Sequence, residues 1–177
     1  MDLPAVFLER SRHYLAYEYP TKIAICLGEL PADALWRRLD DGSNSVGNLL
    51  LHLEGNVRQW IISSVGGAPD ARHRAAEFGA RVGAHGAALL SALRNTLGEA
   101  DAVIGGLTAE DLASRRTIQG RDVSVLDAVY HVVEHFSLHT GQIILLTKLL
   151  APGRITFYED ADGQAVPIWR ELPLTGQ

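Results

Sequence analysis

Apolar residues recur at three- and four-residue intervals along four long stretches of the chain, a pattern typical of helices that bury one side. The predicted helices cover residues 3–29, 46–65, 80–104 and 125–150. Pro20 should kink or divide the first helix near Tyr19, because proline removes one backbone hydrogen bond and crowds the preceding turn. Four long helices in 177 residues predict an all-α four-helix bundle.

The segments between these helices are interpreted from turn residues and charge. Residues 70–77 are charged and predict a loop, and residues 117–121 predict a polar connection before the fourth helix. After Leu150 two short apolar runs flank the pair Asp162-Gly163, which predicts an irregular or hairpin-like tail. The chain has no internal repeat, and we expect residues 1–177 to form a single domain.

The composition is that of an ordinary globular protein, with 47% hydrophobic and 21% charged residues. A net charge of −5, with basic residues scattered in short groups such as residues 72–74, argues against nucleic-acid and membrane partners. Cys26 is the only cysteine, so the sequence offers no disulfide framework and no thiolate metal cluster. Neither a leader nor a long apolar run is evident, and we expect a cytoplasmic protein.

The candidate chemistry lies on the fourth predicted helix, where His131, His135 and His139 follow one another at four-residue steps. Side chains four residues apart on a helix differ by about 40° and one turn, so neighbouring histidines of this series can share a metal ion. His131 and His139 are two turns apart, about 12 Å along the axis, and cannot easily bind the same small ion. We therefore expect one pair to bind and the third histidine to flank it.

These histidines share their side of the helix with apolar residues and so should point inward. The apolar residues of this side are Val125, Ala128, Val132, Ile143, Leu146 and Leu150. One alternative is that the rings are neutral, hydrogen-bonded core groups. Several stacked rings are hard to satisfy in that way, because each leaves a donor and an acceptor to be matched without water. A divalent cation accepts their lone pairs, and the metal interpretation is favoured.

His52 lies in the middle of the second predicted helix, and Asn48, Asn56 and Gln59 lie within about 40° of it. This polar strip either faces solvent or borders a third metal ligand. If His52 is that ligand, the amides are polar neighbours that orient the ligand or contact a substrate. The strip offers mostly amides and no acidic or basic group for catalysis.

The chain resembles the DinB-like superfamily, also called DinB/YfiT-like metalloenzymes, in two motifs. They are NSVGNLLLHLEGNVRQW at residues 44–60 and EHFSLHTGQI at residues 134–143. The resemblance covers most of the chain and implies a four-helix bundle with a crossover connection. It also implies a divalent metal ion bound by one histidine of the second helix and a His-x-x-x-His pair of the fourth. On the matching positions the ligands would be His52, His135 and His139.

The resemblance further implies a function. Characterised members include thiol S-transferases that use low-molecular-weight thiols and a thiol-dependent isomerase, so we expect a metal-dependent transferase or hydrolase-like enzyme with a small-molecule substrate. Three imidazoles leave an open coordination position, as catalytic sites do, and Zn²⁺ and Ni²⁺ are the leading candidates. The nearest polar groups are Asn48, Asn56, His131 and Gln142. The alternative is a non-enzymatic metal-binding bundle with a structural or stress-related role.

A homodimer is also expected from the sequence. Apolar residues at Ile61-Ile62 and over residues 143–146 spread wider than one core-facing stripe. Surface of this kind needs a partner.

Overall fold

A computed structural model describes residues 1–170, and most of this part of the chain is helical. The α-helices are α1 (Leu3–His13), α2 (Tyr19–Glu29), α3 (Val46–Val57), α4 (Arg74–Gly79), α5 (Gly86–Gly105), α6 (Ala109–Ala113) and α7 (Val125–Leu150). Two π-helical segments, Tyr14–Glu18 and Arg58–Ser63, extend α1 and α3, and a 3₁₀ turn covers Ala32–Ala34. The strands are β1 (Arg115–Ile118), β2 (Arg121–Ser124), β3 (Tyr158–Ala161) and β4 (Gln164–Pro167).

The first predicted helix is divided, as expected. The Asp2 carboxylate caps α1 by accepting a hydrogen bond from the Ala5 amide at 3.2 Å. The π-helical segment then leads into α2, which begins at Tyr19 with Pro20 in its first turn. The chain stays helical through this junction, where the Tyr19 amide donates to the Tyr14 carbonyl oxygen in the wider π-turn and Pro20 has no amide hydrogen to donate.

The chain between α3 and α5 differs from the prediction. Residues 74–79, predicted to lie mostly in a charged loop, form α4, and α5 begins at Gly86 instead of Ala80. The His85 ring caps α5 by accepting from the Ala88 amide. The local pattern is misleading because α4 packs against α3 with Glu77 buried between them, a contact between distant residues.

Two small antiparallel sheets correct the all-α prediction. Strands β1 and β2 pair where a polar connection was predicted, around a turn at Gln119 and Gly120 that has positive φ at both residues. The predicted hairpin-like tail is present, because β3 and β4 pair around Asp162 and Gly163. Residues 171–177 of the predicted domain lie outside the described residues.

The core lies between the long helices, where α3 packs on α5 and α7, and α2 packs on α5 and α7. Its largest fully buried side chains include Phe136, Leu53 and Leu93. Cys26 is buried as expected, and burial raises the pKa of its thiol to about 11. Among residues 1–170, no helix combines the length and apolarity that a bilayer crossing requires.

The sequence argument for a partner is wrong in part, because Ile61 and Ile62 are buried within the chain itself. Ile143 and Leu146 are buried too. Of the residues cited for a wide apolar surface, Leu145 is the one with a largely exposed side chain. The homodimer stays a prediction that needs a different surface.

Candidate metal centre

Three histidine rings converge between α3 and α7. One ring nitrogen from each of His52, His135 and His139 lies within 4.8 Å of the others. The Nε2 atoms of His52 and His135 are 2.9 Å apart. The ring planes lie at 70–87° to one another, so the rings do not stack but face a small common space from different directions.

The His52 ring is oriented by Glu77 of α4. Its Nδ1 lies 2.8 Å from Glu77 Oε2, and the proton of this bond belongs on the ring because the carboxylate only accepts. The Arg72 guanidinium also approaches Nδ1, at 3.1 Å, but its Nη2 donates to the same Glu77 oxygen at 2.9 Å. With the proton on Nδ1, the Nε2 lone pair of His52 points towards the other two rings.

Glu77 and Arg72 form a buried ion pair behind His52. Arg72 Nε donates to Glu77 Oε1 at 2.7 Å, and the two side chains are 4% and 9% exposed. Burial by itself would raise the pKa of Glu77, but the hydrogen bonds from Arg72 and His52 lower it to about 2. The carboxylate is therefore ionised and fully bonded beside the cluster.

His139 is oriented in the same way by Gln142, one turn further along α7. His139 Nδ1 lies 2.7 Å from Gln142 Oε1, and the amide oxygen accepts the ring proton. This leaves the Nε2 lone pair of His139 free as well. Gln142 was predicted as a polar neighbour of the site and lies in contact with one of its rings.

Two of the three rings, His135 and His139, have pKa values below the ordinary value for histidine. Burial lowers the pKa of His135 to about 3, with further lowering from the neighbouring histidines His139, His52 and His131 and from Arg72. Burial also lowers the pKa of His139, although its bond to Gln142 acts in the opposite direction. Neutral imidazole is the form that binds metal, so all of these effects favour a ligand over a charged side chain.

His131 flanks the cluster and does not join it. Its ring stacks on His135 at 5.2 Å between centroids and contacts the Trp60 ring at 4.0 Å. Asn56 Nδ2 lies 3.5 Å from His131 Nε2, a long contact between two predicted pocket residues. Burial lowers the pKa of His131 too. The structure thus places Asn56 and His131 together on the Trp60 side of the site.

The hydrogen bonds of the Asn48 side chain go to the Ser45 turn, to Arg38 and to the backbone of the α4 segment, and none goes to a histidine ring. Its Oδ1 accepts from the Ser45 amide and from Arg38, while its Nδ2 donates to the carbonyl oxygens of Glu77 and Ala80. These bonds fix the chain that carries the Glu77 carboxylate. Asn48 was predicted as a pocket residue, and in the structure it is fully buried and reaches the site only through Glu77.

Sequence reasoning missed Arg72 and Glu77, which lie in the stretch of residues 70–77 predicted as a charged loop. The glycine at position 55 is the sequence feature that could have indicated a close contact at this point of α3. A glycine in the middle of a helical pattern usually has a packing reason, and a Cβ at this position would clash with the Glu77 carboxylate. Phe78, also missed, packs its ring 4.5 Å from His52.

The donor set fits a divalent ion of the zinc or nickel type, which favours neutral imidazole nitrogen. Two nitrogens of a tetrahedral site with bonds of about 2.0–2.1 Å are roughly 3.3 Å apart. The separation of 2.9 Å between His52 and His135 is close to that value. The assignment of the three histidines as ligands stays a prediction.

Comparison with known proteins identifies a matching family and a similar fold. A family model described as "Protein of unknown function (DUF1572)" matches residues 3–157. A similar solved structure is a crystal structure of a DinB-like protein from Bacillus cereus ATCC 10987, with 17% identity and a TM-score of 0.58. The match covers 77% of this chain and 91% of that chain, and it confirms the DinB-like resemblance at the level of the fold. No curated protein matches the chain.

Proposed function

Because the chain belongs to the DUF1572 family of unknown function and has a DinB-like fold, we propose that it binds one divalent metal ion through His52, His135 and His139. The observation that carries this proposal is the convergence of three ring nitrogens. Two of them present lone pairs, since the Nδ1 protons are bonded to Glu77 and Gln142. A neutral His135 ring has one N–H and can donate it to at most one of these two lone pairs. A cation would bind the lone pair that remains.

A bound divalent ion with an open position lowers the pKa of a thiol or water that binds it. The chain's own contribution is to hold the three rings in place and to favour the neutral form of His135 and His139. Glu77 and Gln142 fix the rings of His52 and His139, and burial lowers the pKa of His135 to about 3. Zn²⁺ and Ni²⁺ are the proposed ions, on ligand type.

We propose further that the site is catalytic, as a thiol S-transferase that uses a low-molecular-weight thiol and a small-molecule acceptor. Three protein ligands leave a coordination position open, which supports catalysis. His131 and His135 are only half-buried, which supports access of small molecules to these rings from solvent. The substrate would contact Asn56 and His131 on that side. The sequence predicted no charged residue beside the site, but the buried Arg72 and Glu77 lie there.

A non-enzymatic metal-binding protein is the second candidate. His52 and His139 are only 4% and 9% exposed, and Phe78 covers one side of His52. Burial of this kind also suits an ion that stabilises the fold.

The metal proposal is tested by comparing His139→Ala with His131→Ala, two substitutions on the same helix. The wild-type protein should contain about one ion per chain by mass spectrometry. His139→Ala should lose the ion and the stability linked to it, roughly 2.7 kcal/mol at a hundredfold excess over the dissociation constant. His131→Ala should keep the ion. Equal retention in both variants, or loss only from His131→Ala, would show that the ligand set is wrong.

The catalytic proposal is tested by a thiol-conjugation screen of the metal-loaded protein with low-molecular-weight thiols and small electrophiles. Turnover should require both the metal and the thiol, and metal-depleted protein is the control. Full metal content without turnover for any thiol would favour the non-enzymatic candidate.

The remaining proposals concern the whole chain. We interpret the long helical segments as a four-helix bundle with a crossover connection, supported by the packing of α2 and α3 on α5 and α7. We propose that residues 1–177 form one domain and that the protein is a cytoplasmic homodimer. A net charge of −5 supports the absence of nucleic-acid and membrane partners. Light scattering at micromolar concentration tests the dimer.

A further inference from the structure

The outer side of α7 is an apolar face that no described element covers. Its large side chains are 43–61% exposed, and they are Leu126, Tyr130, Leu138, Leu145 and Leu149. The opposite side of the helix carries core residues such as Phe136 and Ile143. Exposed apolar residues concentrated along one helix indicate a contact surface more than residues scattered singly do.

A line of four residues runs through the middle of this face. Asp127, Glu134, Gly141 and Lys148 are seven residues apart and all are exposed, so they follow one another along the helix axis. The line begins with a negative charge and ends with a positive one. The charges of this line are therefore complementary to those of a second, antiparallel copy. In such a pair Asp127 of each copy lies opposite Lys148 of the other.

The same register matches the side chains between the two ends. Gly141 lies opposite Glu134 of the second copy, and a Cβ at Gly141 would meet nothing within 4 Å, so the glycine leaves room for the carboxylate. Tyr130 shares a layer with Leu145 of the second copy. Leu138 lies beside the two-fold axis and meets its own counterpart. A parallel pair would instead place Asp127 beside Asp127 and Lys148 beside Lys148.

We propose that α7 binds α7 of a second copy of the chain, antiparallel, about a two-fold axis beside Leu138. The proposal rests on the homodimer proposed above and names its surface. The face runs roughly 35 Å along the helix at 1.5 Å per residue. Tyr158, which is 48% exposed and shares a pocket with Lys148 and Ile144, extends this apolar face beyond the helix.

This arrangement also brings the second copy close to the histidine site. Leu145 lines a cavity of about 270 Å³ together with Gln142, the residue that orients His139. In the proposed register, Tyr130 of the second copy faces Leu145 at the rim of this cavity. The pairing thus covers the side of the site that lies behind the His139 ring.

Single cysteine substitutions test the face and its direction. Leu138 and Leu145 are matched positions, 55% and 58% exposed on the same helix. Leu138→Cys should form a disulfide-linked dimer on mild oxidation, because the two copies of residue 138 meet at the axis. Leu145→Cys should not, since its two copies are roughly 22 Å apart along the axis. Unaltered protein, whose Cys26 is buried, gives the background.

The outcomes separate this proposal from the others. Crosslinking of both variants would show parallel pairing, and crosslinking of neither would show that the dimer uses another surface; each result overturns the proposal. A dimeric mass without the Leu138→Cys crosslink leaves the homodimer standing and removes this face. A monomeric mass removes both. Lys148→Glu, which sets acidic residues opposite each other, should raise the dimer dissociation constant at least several-fold, and metal content is measured independently.

Discussion

His52 depends on a residue 25 positions away for its orientation. The Glu77 carboxylate accepts the Nδ1 proton and is held in turn by Arg72, so three side chains form one buried polar unit. Such units are costly to leave half-bonded, because each buried polar group then lacks a partner. Removing the charge and removing the oxygen from Glu77 should therefore have different consequences.

Glu77→Gln keeps an oxygen that can accept from His52 but removes the negative charge. Groups that orient metal-bound histidines typically contribute 10- to 100-fold in affinity. We expect the metal dissociation constant to rise by about 10- to 100-fold while the fold is retained. Competition titration against a chromophoric chelator measures this, with the exposed Glu110→Gln as the control. Unchanged affinity in Glu77→Gln would mean that the negative charge of Glu77 does not contribute to metal binding.

Glu77→Ala should instead destabilise the fold. The Arg72 side chain is 4% exposed and would lose its hydrogen-bond acceptors as well as its charge partner, whereas Glu77→Gln keeps one acceptor oxygen. Removing one member of a buried ion pair costs about 3–5 kcal/mol. Urea denaturation should show a much lower midpoint for Glu77→Ala than for Glu77→Gln, and equal midpoints would mean that the hydrogen bonds accepted by the residue 77 oxygen do not stabilise the fold.

At the scale of elements, the close packing of α3 against α4 requires a small residue at Gly55. A Cβ at this position would clash with the Glu77 carboxylate and approach Arg72. Helix propensity alone predicts that alanine stabilises a helix by about 1 kcal/mol over glycine. We expect Gly55→Ala to lower the free energy of unfolding despite this, because the clash disturbs the buried ion pair.

Gly98→Ala is the matched control for that substitution. Gly98 lies inside α5, and a Cβ there would meet nothing within 4 Å. It should raise the free energy of unfolding by up to about 1 kcal/mol in urea denaturation. If both variants are stabilised equally, the packing of α4 against α3 is looser than described.

The elements that could be predicted are those with local signals. Asp2, Ser45 and Ser124 each cap the helix that follows them, and the cap residues stand in the sequence beside the apolar pattern. The start of α5 and the β1–β2 hairpin were missed or misplaced. The short α4 packs through the contact of Glu77 with the distant His52, and β1 forms only by pairing with β2.

The same distinction applies to the candidate site. The four-residue spacing of His135 and His139 is local and predicts that they share a face. The resemblance added His52. Arg72 and Glu77 could not be predicted from their own stretch, since nothing in it indicates that a buried imidazole lies against it, and the one signal lies elsewhere, at Gly55. Their charges suggested solvent, whereas the fold pairs them in the interior.

At the scale of the whole molecule, the buried ionisable groups make stability depend on pH. The pKa of His135 is about 3 in the folded protein, below its ordinary value of 6.5, and the pKa values of His131 and His139 are lowered as well. The unfolded chain therefore binds protons more readily than the folded one. Stability from these groups is present above pH 6.5 and is lost as the pH falls towards 3.

Glu77 acts in the same direction over a lower range. Its folded pKa of about 2 lies below the ordinary value of 4.5, so its contribution is present above pH 4.5 and is lost as the pH falls through 2. A change from pH 7.5 to pH 5 therefore reports on the histidines and leaves Glu77 ionised. This window separates the two buried groups of the site.

We expect metal-free protein to have a lower free energy of unfolding at pH 5 than at pH 7.5, measured by urea denaturation at both values. His135→Gln should reduce this difference, because it removes the histidine with the largest lowering of pKa at the centre of the cluster. His73→Gln, at an exposed position, should leave the wild-type difference intact. Equal pH dependence in all three proteins would show that the imidazoles are protonated without unfolding the chain. The cluster would then be more accessible to water than its burial indicates.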